Sequence, residues 1–174
     1  MLRIGLASYL KSSGYQRGQK VLDVGCGKGR NARYFDEGYT GIDIDATAIA
    51  EARQKHPTKR FEMMSAAKLE LPANEFDLVV STAVFHHLDD QTLISALREM
   101  KRVVKPGGKI LITDIVLPTQ WQLFARILFA VDKGAIIRTI DGLRKLLDQV
   151  DPTPTWFSSG RFLIVGSVVT EYQK

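Results

Sequence analysis

Short apolar runs alternate with segments of helical periodicity along most of the chain. The runs end at glycine, proline or charged residues, whereas the segments between them place apolar residues three or four positions apart. Strands that alternate with helices in this way form a mainly parallel sheet with helices on both faces. Pro106, Gly107 and Gly108 predict a turn, and Asp89 or Asp90 is the expected N-cap of the second helix. The predicted strands are residues 20–24, 39–44, 60–64, 76–81 and 109–116, and the predicted helices are residues 46–55 and about 90–103.

The last third of the chain departs from this rhythm. Residues 119–131 are apolar on nearly all sides, which indicates a buried helix or a lid, and residues 139–150 form an amphipathic helix. Two strand-like runs, 154–157 and 162–169, are separated only by Ser158, Ser159, Gly160 and Arg161. Because four residues are too few for a parallel crossover, we predict an antiparallel hairpin.

Length and composition limit the classes of protein that fit. The 174 residues have the length of one domain, so we expect a single domain over 1–174 with a helix and loop over 1–19. The formal charge of +5 is mild, and a single cysteine excludes an internal disulfide and a thiolate zinc site. No apolar run is long enough to span a bilayer, and we expect a cytoplasmic location.

The clearest chemical signal is the sequence VLDVGCGKG at residues 21–29. A strand that enters a glycine-rich turn brings the backbone close to a ligand. A dinucleotide fingerprint requires a glycine where this chain has Arg30, and no Gly-Lys-Ser/Thr of a phosphate loop follows. A cofactor that joins an amino acid to a nucleoside, without phosphates, fits better, with Asp23 and the loop amides ordering its amino-acid part.

The second predicted strand adds a carboxylate at the same edge. Asp43 follows Gly41 and Ile42 near the end of that strand, where a carboxylate can accept hydrogen bonds from both ribose hydroxyls. Ile44 would pack on the adenine face. The alternative for Asp43 is a helix N-cap, but Asp45 is better placed for that role.

These motifs resemble the class I S-adenosylmethionine-dependent methyltransferase family, in particular its small-molecule branch of methyltransferase-domain type 11 or 25. The resemblance rests on VLDVGCGKG (21–29), GIDID (41–45), FDLVVSTAVFHHL (76–88) and VVKPGGKILITD (103–114), which occur in the family's order and spacing. It implies a Rossmann-like, doubly wound α/β sheet of seven strands, mostly parallel with an antiparallel C-terminal strand. It also implies S-adenosyl-L-methionine as the cofactor and S-adenosyl-L-homocysteine as its product.

The resemblance further implies a role for each matched position. The glycine loop would pass under the methionine part, with Asp23 ordering the loop and Asp43 holding the ribose. The family commonly has an aspartate after the third strand for the adenine amine, but this chain has Ser65 and Ala66 there. The implied cofactor-binding residues are Asp23, Gly25, Cys26, Gly27, Asp43, Ile44, Ser65, Ala66, Ser81, Thr82 and Ala83.

Two histidines follow the fourth predicted strand, close to the expected position of the transferred methyl group. His86 is the candidate catalytic residue, as a general base, and the alternative is that His86 or His87 binds backbone and fixes the loop. Asp114 would either touch the acceptor or cap the following segment. Cys26 is interpreted as a small residue in a tight turn rather than a nucleophile. We expect no metal site.

The sequence therefore predicts methyl transfer to a small-molecule or lipid-like acceptor, achieved mainly by alignment of the reactants and exclusion of water. Residues 117–138 are the expected acceptor-covering insertion. No nucleic-acid partner is expected, a peripheral membrane contact is the second interpretation of the basic first twenty residues, and the sequence does not predict the oligomeric state. The first alternative is a non-catalytic member of the family that binds the cofactor and acts as a sensor or partner subunit. The second alternative is an NAD(P)-dependent oxidoreductase.

Overall fold

A computed structural model describes residue 10 and residues 14–117, 136–152, 156–162 and 165–174. The helix predicted over 119–131 and most of the segment 117–138 lie outside the described residues. The short helix predicted over 2–11 also lies outside them, apart from Leu10, which is helical.

The described residues form one seven-stranded sheet, which confirms the predicted fold class. The strand order is β3-β2-β1-β4-β5-β7-β6. Strands β1 to β5 are all parallel to one another, whereas β7 runs antiparallel to both β5 and β6. The strands are β1 (Val21–Val24), β2 (Tyr39–Asp43), β3 (Arg60–Met63), β4 (Phe76–Thr82), β5 (Val104–Val116), β6 (Trp156–Phe162) and β7 (Val165–Gln173).

Helices follow β2 and β4, and side-chain caps fix where they begin. Asp45 accepts hydrogen bonds from two backbone amides at the start of the first helix, and Asp89 accepts one at the start of the second, as predicted. Thr139 caps the third helix, which is shorter than the predicted span of 139–150. The helices are α1 (Ala46–Lys55), α2 (Asp90–Val103) and α3 (Ile140–Leu147), with 3-10 helices at Arg30–Tyr34 and Phe85–His87.

Two boundaries predicted from turn-forming residues are wrong. The Pro-Gly-Gly sequence at 106–108 lies inside β5, where the register against β4 shifts between Phe76 and Leu78. Residues 158–161, predicted as the hairpin loop, belong to β6, whose pairing with β7 continues to Phe162 opposite Val165. In both places pairing with a neighbouring strand overrides the local preference for a turn.

The sheet separates two apolar clusters, one on each face. Leu22, Val24 and Val79 contribute to the cluster against α2 and α3, and Val21 and Val80 contribute to the opposite cluster. Because both faces are covered, a ligand has access mainly at the edges formed by the strand ends. The strand order reverses between β1 and β4, and in such sheets ligands bind in the crevice outside the carboxyl ends at that point. No helix among the described residues is long and apolar enough to cross a membrane.

Candidate active site

The glycine loop follows β1 at this reversal point, and two of its glycines have different steric surroundings. Gly25 (φ 74°) and Gly27 (φ 51°) both have left-handed backbone conformations. A Cβ on Gly25 would lie 2.3 Å from Cγ2 of Val84, so the loop packs tightly against the segment after β4. A Cβ on Gly27 would have no atom of the described residues within 4 Å, so the backbone here faces open space beside that part of the chain.

Asp43 ties this loop to the end of β2. Its Oδ2 accepts a hydrogen bond from the Gly27 amide at 2.7 Å, and its Oδ1 accepts one from the Asp45 amide at 3.0 Å. The amides of Gly25 and Cys26 both donate to the carbonyl of Ile42, at 2.8 and 2.9 Å. The sequence analysis missed this loop-anchoring role of Asp43. Each carboxylate oxygen can still accept a second hydrogen bond.

Two large apolar side chains stand exposed beside Asp43. Ile44 follows it and is 76% exposed, and Met63, which pairs with Asp43 across β2 and β3, is 63% exposed. The next residue along, Met64, donates its amide to the Asp43 carbonyl at 2.9 Å. Exposed apolar side chains next to a polar anchor form a surface suited to a flat, partly apolar ligand.

The loop after β3 carries the two residues predicted near the adenine. Ser65 and Ala66 are half-buried. The Ser65 hydroxyl accepts a hydrogen bond from the Ala67 amide at 3.3 Å, which closes a local turn. The Met64 backbone connects this loop directly to Asp43, so the structure brings both predicted groups to the same side of the crevice.

Asp23 is fully buried within β1. Its Oδ2 accepts a hydrogen bond from the Tyr39 hydroxyl at 2.8 Å, and its Oδ1 accepts one from the Asn31 amide at 3.4 Å. Burial raises the pKa of Asp23 from 3.8 to about 6, while the bonds from Tyr39 and Asn31 oppose that rise. This carboxylate holds the side chains of Tyr39 and Asn31 in place. Both are site residues that sequence reasoning missed.

Cys26 lies inside the glycine loop as a protonated thiol. Its side chain is buried, and its Sγ approaches the Gly27 carbonyl at 3.6 Å. Burial, together with the charges of Asp23 and Asp43, raises the pKa of Cys26 far above its ordinary value. A thiol in this state is a poor nucleophile, in agreement with the interpretation of Cys26 as a small residue in a tight turn.

The end of β4 contains an unsatisfied hydroxyl and a strained backbone. Ser81 is buried, and its hydroxyl has no hydrogen-bond partner among the described residues. Thr82 accepts a hydrogen bond from the Asn31 amide at 3.4 Å. Ala83 has φ 58°, a left-handed conformation uncommon for alanine, and its amide donates to the Thr113 carbonyl at 2.8 Å. Such strain and unpaired polar groups occur often at ligand sites.

His86 forms a buried pair with Asp114 at the ends of β4 and β5. The His86 Nδ1 lies 2.6 Å from Asp114 Oδ1, and the His86 amide donates to Asp114 Oδ2 at 3.1 Å. Asp114 also accepts a hydrogen bond from the Ile115 amide at 2.7 Å. Asp114 therefore orients the imidazole, a role that neither sequence interpretation of this residue had described. His87 is exposed, and its ring lies 4.0 Å from that of His86.

Arg138 holds the short 3-10 helix that carries both histidines. Its guanidinium donates to the carbonyls of Phe85 at 3.0 Å and Leu88 at 2.7 Å, and it forms an ion pair with Asp90 at 2.6 Å. No sequence signal links Arg138 to residues about fifty positions earlier, and the sequence analysis missed it. Among the described residues, no cluster of three His, Cys, Asp or Glu could hold a metal ion.

The comparisons with known proteins show the family. Residues 22–112, more than half of the chain, match the family model described as "Methyltransferase domain". The chain belongs to the class I S-adenosylmethionine-dependent methyltransferase family. This finding favours the methyltransferase interpretation over the oxidoreductase one.

Two curated relatives act on different acceptors, judging from their names. The chain is 38% identical over 105 residues to phosphoethanolamine N-methyltransferase 3 of Arabidopsis thaliana, covering 56% of this chain and 21% of that protein. It is 36% identical over 104 residues to the 2-methyl-6-phytyl-1,4-hydroquinone methyltransferase of a Synechocystis strain, covering 56% of this chain and 32% of that protein. The chain spans about half or less of the length of the curated relatives it matches.

Solved structures confirm the fold over nearly the whole chain. An S-adenosylmethionine-dependent methyltransferase from Methanosarcina mazei superposes with a TM-score of 0.77 at 21% identity, covering 94% of this chain and 96% of that one. The [4+2]-cyclase SpnF has the same TM-score at 18% identity, covering 95% and 77%. At these identities the likeness concerns the fold alone.

The family and the fold imply S-adenosylmethionine as the cofactor, and the residues at the crevice fit such a molecule. The open space at Gly27 leaves room against the backbone, and Asp43 offers carboxylate oxygens beside it. Ile44 offers exposed apolar surface on the far side of Asp43, and the unpartnered hydroxyl of Ser81 lies at the end of β4.

Proposed function

We propose that this protein transfers the methyl group of S-adenosylmethionine to a small-molecule or lipid-like acceptor, with His86 as the general base. The observation that carries the proposal is the buried His86–Asp114 pair at the same strand edge as the glycine loop. Gly25 packs directly against Val84, two residues before His86, so the loop and the pair are neighbours.

Different residues along the crevice would bind different parts of the cofactor. Asp43 would accept hydrogen bonds from the ribose, and Ile44 with the loop at Ser65 and Ala66 would enclose the adenine. On the β4 side, Ser81, Thr82 and Ala83 would flank the methionine part above the glycine loop. When bound, the cofactor supplies a methyl group already activated by its sulfonium, so the protein mainly aligns the acceptor and excludes water.

The hydrogen bond to Asp114 determines which nitrogen of His86 can act as a base. A carboxylate only accepts hydrogen bonds, so the neutral ring must carry its proton on Nδ1, which leaves the lone pair on Nε2. The His86 Nε2 has no hydrogen-bond partner among the described residues. A base in this state can take the proton of an acceptor hydroxyl or of a protonated amine as the methyl group is transferred.

The acceptor classes proposed are amines and hydroxyl compounds of small molecules or lipids. The relatives named for phosphoethanolamine and for a phytylated hydroquinone support this range, since one acceptor is a polar amine and the other an apolar quinol. A cytoplasmic location, the absence of a nucleic-acid partner and a peripheral membrane contact stay predictions.

A turnover screen tests the proposal. The protein is incubated with S-adenosylmethionine and a panel of phenols, amines, quinols and lipids, and S-adenosylhomocysteine is measured through a coupled hydrolase. For an acceptor that is turned over, His86→Gln should lower kcat by about 10²- to 10⁴-fold and leave the Kd of S-adenosylhomocysteine unchanged. His56→Gln is the control, because His56 lies against Phe61 at the end of α1.

Three outcomes would contradict the proposal in different ways. Cofactor binding without turnover of any acceptor class would favour the sensor or partner-subunit alternative. Full activity of His86→Gln would remove the base from the mechanism. Absence of cofactor binding would overturn the proposed function as a whole.

A further inference from the structure

Asp23 lies next to the cofactor crevice but is sealed from it. The side chain is fully buried, and both carboxylate oxygens are engaged, one by Tyr39 and one by Asn31. Because no part of the side chain is exposed, a ligand in the crevice cannot touch this carboxylate without displacing the groups that cover it. Any influence of Asp23 on the cofactor has to pass through a neighbouring group.

Asn31 is the group that stands between Asp23 and the crevice. It lies in the 3-10 helix directly after the glycine loop and is half-buried. Its amide nitrogen donates to Asp23 Oδ1 and to Thr82 Oγ1, both at 3.4 Å. One side chain thus connects β1 to the end of β4, the two strands between which the sheet order reverses.

The chemistry of these contacts orients the Asn31 amide. An ionised carboxylate accepts hydrogen bonds and cannot donate, so the amide nitrogen must face Asp23 and the carbonyl oxygen must lie on the other side. The Asn31 Oδ1 accepts no hydrogen bond from the described residues, and it is not among their buried unpaired atoms. A partly exposed acceptor, fixed by two hydrogen bonds and backed by a buried negative charge, is suited to a cationic donor.

We propose that Asn31 is a cofactor-binding residue whose carbonyl oxygen accepts a hydrogen bond from the α-ammonium group of S-adenosylmethionine. The inference rests on the proposed function, because it takes the crevice as the cofactor site. Asn31 contacts Thr82 on the β4 side of β1, whereas Asp43 and Ile44 lie on the β2 side. The ammonium group belongs to the methionine end, the only end of the cofactor that carries a primary ammonium.

Binding of two ligands that differ at this end tests the proposal. S-adenosylhomocysteine has the amino-acid part, and 5′-methylthioadenosine has the same nucleoside and sulfur without it. Calorimetry is carried out with the wild type, Asn31→Leu and Asn31→Ala. Loss of one charge-assisted hydrogen bond should raise the Kd of S-adenosylhomocysteine about 10- to 100-fold. The Kd of 5′-methylthioadenosine should change less than about twofold, since it lacks the group that Asn31 binds.

Arg33→Ala is the matched control, because Arg33 lies in the same 3-10 helix and its guanidinium forms a hydrogen bond and a cation–π contact with the neighbouring Tyr34. It should leave both dissociation constants unchanged. Retained binding of 5′-methylthioadenosine also shows that a variant is folded, so Asn31→Ala replaces Asn31→Leu if the larger side chain disrupts the loop.

The pH dependence of binding provides a second readout. The groups that face Asp23 are Tyr39 from β2, Asn31 from the 3-10 helix, and Asp43 and Cys26 beside the loop. Protonation of Asp23 removes the charge behind Asn31, so S-adenosylhomocysteine should bind less tightly as the pH falls through about 6. In Asn31→Ala the Asp23 charge no longer acts on the cofactor through Asn31, so this pH dependence should be lost.

Three results would overturn the inference. The Asn31 variants could bind S-adenosylhomocysteine as tightly as the wild type does. They could lose both ligands equally, which would show that Asn31 only braces the loop. Arg33→Ala could also change the two dissociation constants in the same way as the Asn31 variants do. Failure of the wild type to bind either ligand would instead overturn the proposed cofactor site.

Discussion

Replacement of Gly27 by alanine should separate ligand binding from folding. The φ of 51° at Gly27 lies close to the left-handed helical value, which alanine adopts at a cost of about 1–2 kcal/mol. Among the described residues no atom lies within 4 Å of the added Cβ, so no clash with them increases that cost. The lower entropy of the unfolded alanine chain offsets about 0.4–1 kcal/mol of it, which leaves a net loss of stability of about 1 kcal/mol.

The effect on binding should be larger, because the new methyl group occupies space against which the cofactor would lie. Overpacking by one methyl group costs about 1–3 kcal/mol, so the Kd of S-adenosylhomocysteine should rise about 5- to 150-fold. Chemical denaturation measures the stability, and isothermal titration calorimetry measures the dissociation constant. Both measurements are repeated on Gly107→Ala.

Gly107 is a matched control at the opposite end of the strands. It also has a left-handed conformation (φ 78°) and open space around its missing Cβ. Gly107→Ala should therefore lose a similar amount of stability and bind S-adenosylhomocysteine like the wild type. Equal affinities of Gly27→Ala and Gly107→Ala would refute the assignment of the Gly27 space to the cofactor.

Three further predictions concern cofactor binding, the pH dependence of stability and residues 117–138. Asp43→Ala should weaken S-adenosylhomocysteine binding by about 2–3 kcal/mol in calorimetry, because it removes charge-assisted hydrogen bonds, and unchanged affinity would show that the ribose is held elsewhere. Since the pKa of Asp23 is about 6 in the folded protein against 3.8 ordinarily, the folded state takes up this proton first. As the pH falls from about 7 to about 3.5, the free energy of unfolding of the wild type should therefore rise by about 3 kcal/mol relative to that of Asp23→Asn, measured by chemical denaturation. A difference that does not change with pH would contradict this. If residues 117–138 close over the acceptor, Phe124→Ser combined with Leu128→Ser should impair turnover far more than it lowers the Tm. Outright unfolding of the double variant would indicate that the segment is part of the hydrophobic core.

Local sequence patterns predicted the features that depend on neighbouring residues. The glycine turn at 25–27 follows β1, and the carboxylate at Asp43 and the cap at Asp45 follow β2, so each lies within a short strand–turn–helix segment. Their geometry follows from the residue types at those positions and from the parallel pairing of β1 with β2. The seven-stranded, mostly parallel sheet with an antiparallel last strand was likewise predicted, through the resemblance to the family.

The features that were missed depend on contacts between distant parts of the chain. Asn31 meets Thr82 across 51 positions, and His86 meets Asp114 across 28. No periodicity or motif spacing encodes such pairs, since they arise only when the sheet brings the strand ends together. The hairpin boundary failed for a related reason, because pairing along β7 extends β6 through a serine- and glycine-containing sequence that locally favours a turn.

The most direct test of the central claim is the location of the bound cofactor in solution. Backbone amide shifts of ¹⁵N-labelled protein are followed during titration with S-adenosylhomocysteine, using the glycines as markers. We expect saturable shift changes at Gly25 and Gly27 beside the crevice, and none at Gly18 and Gly107 near the opposite strand ends. Absence of any change, or changes centred on Gly18 and Gly107, would contradict the central claim.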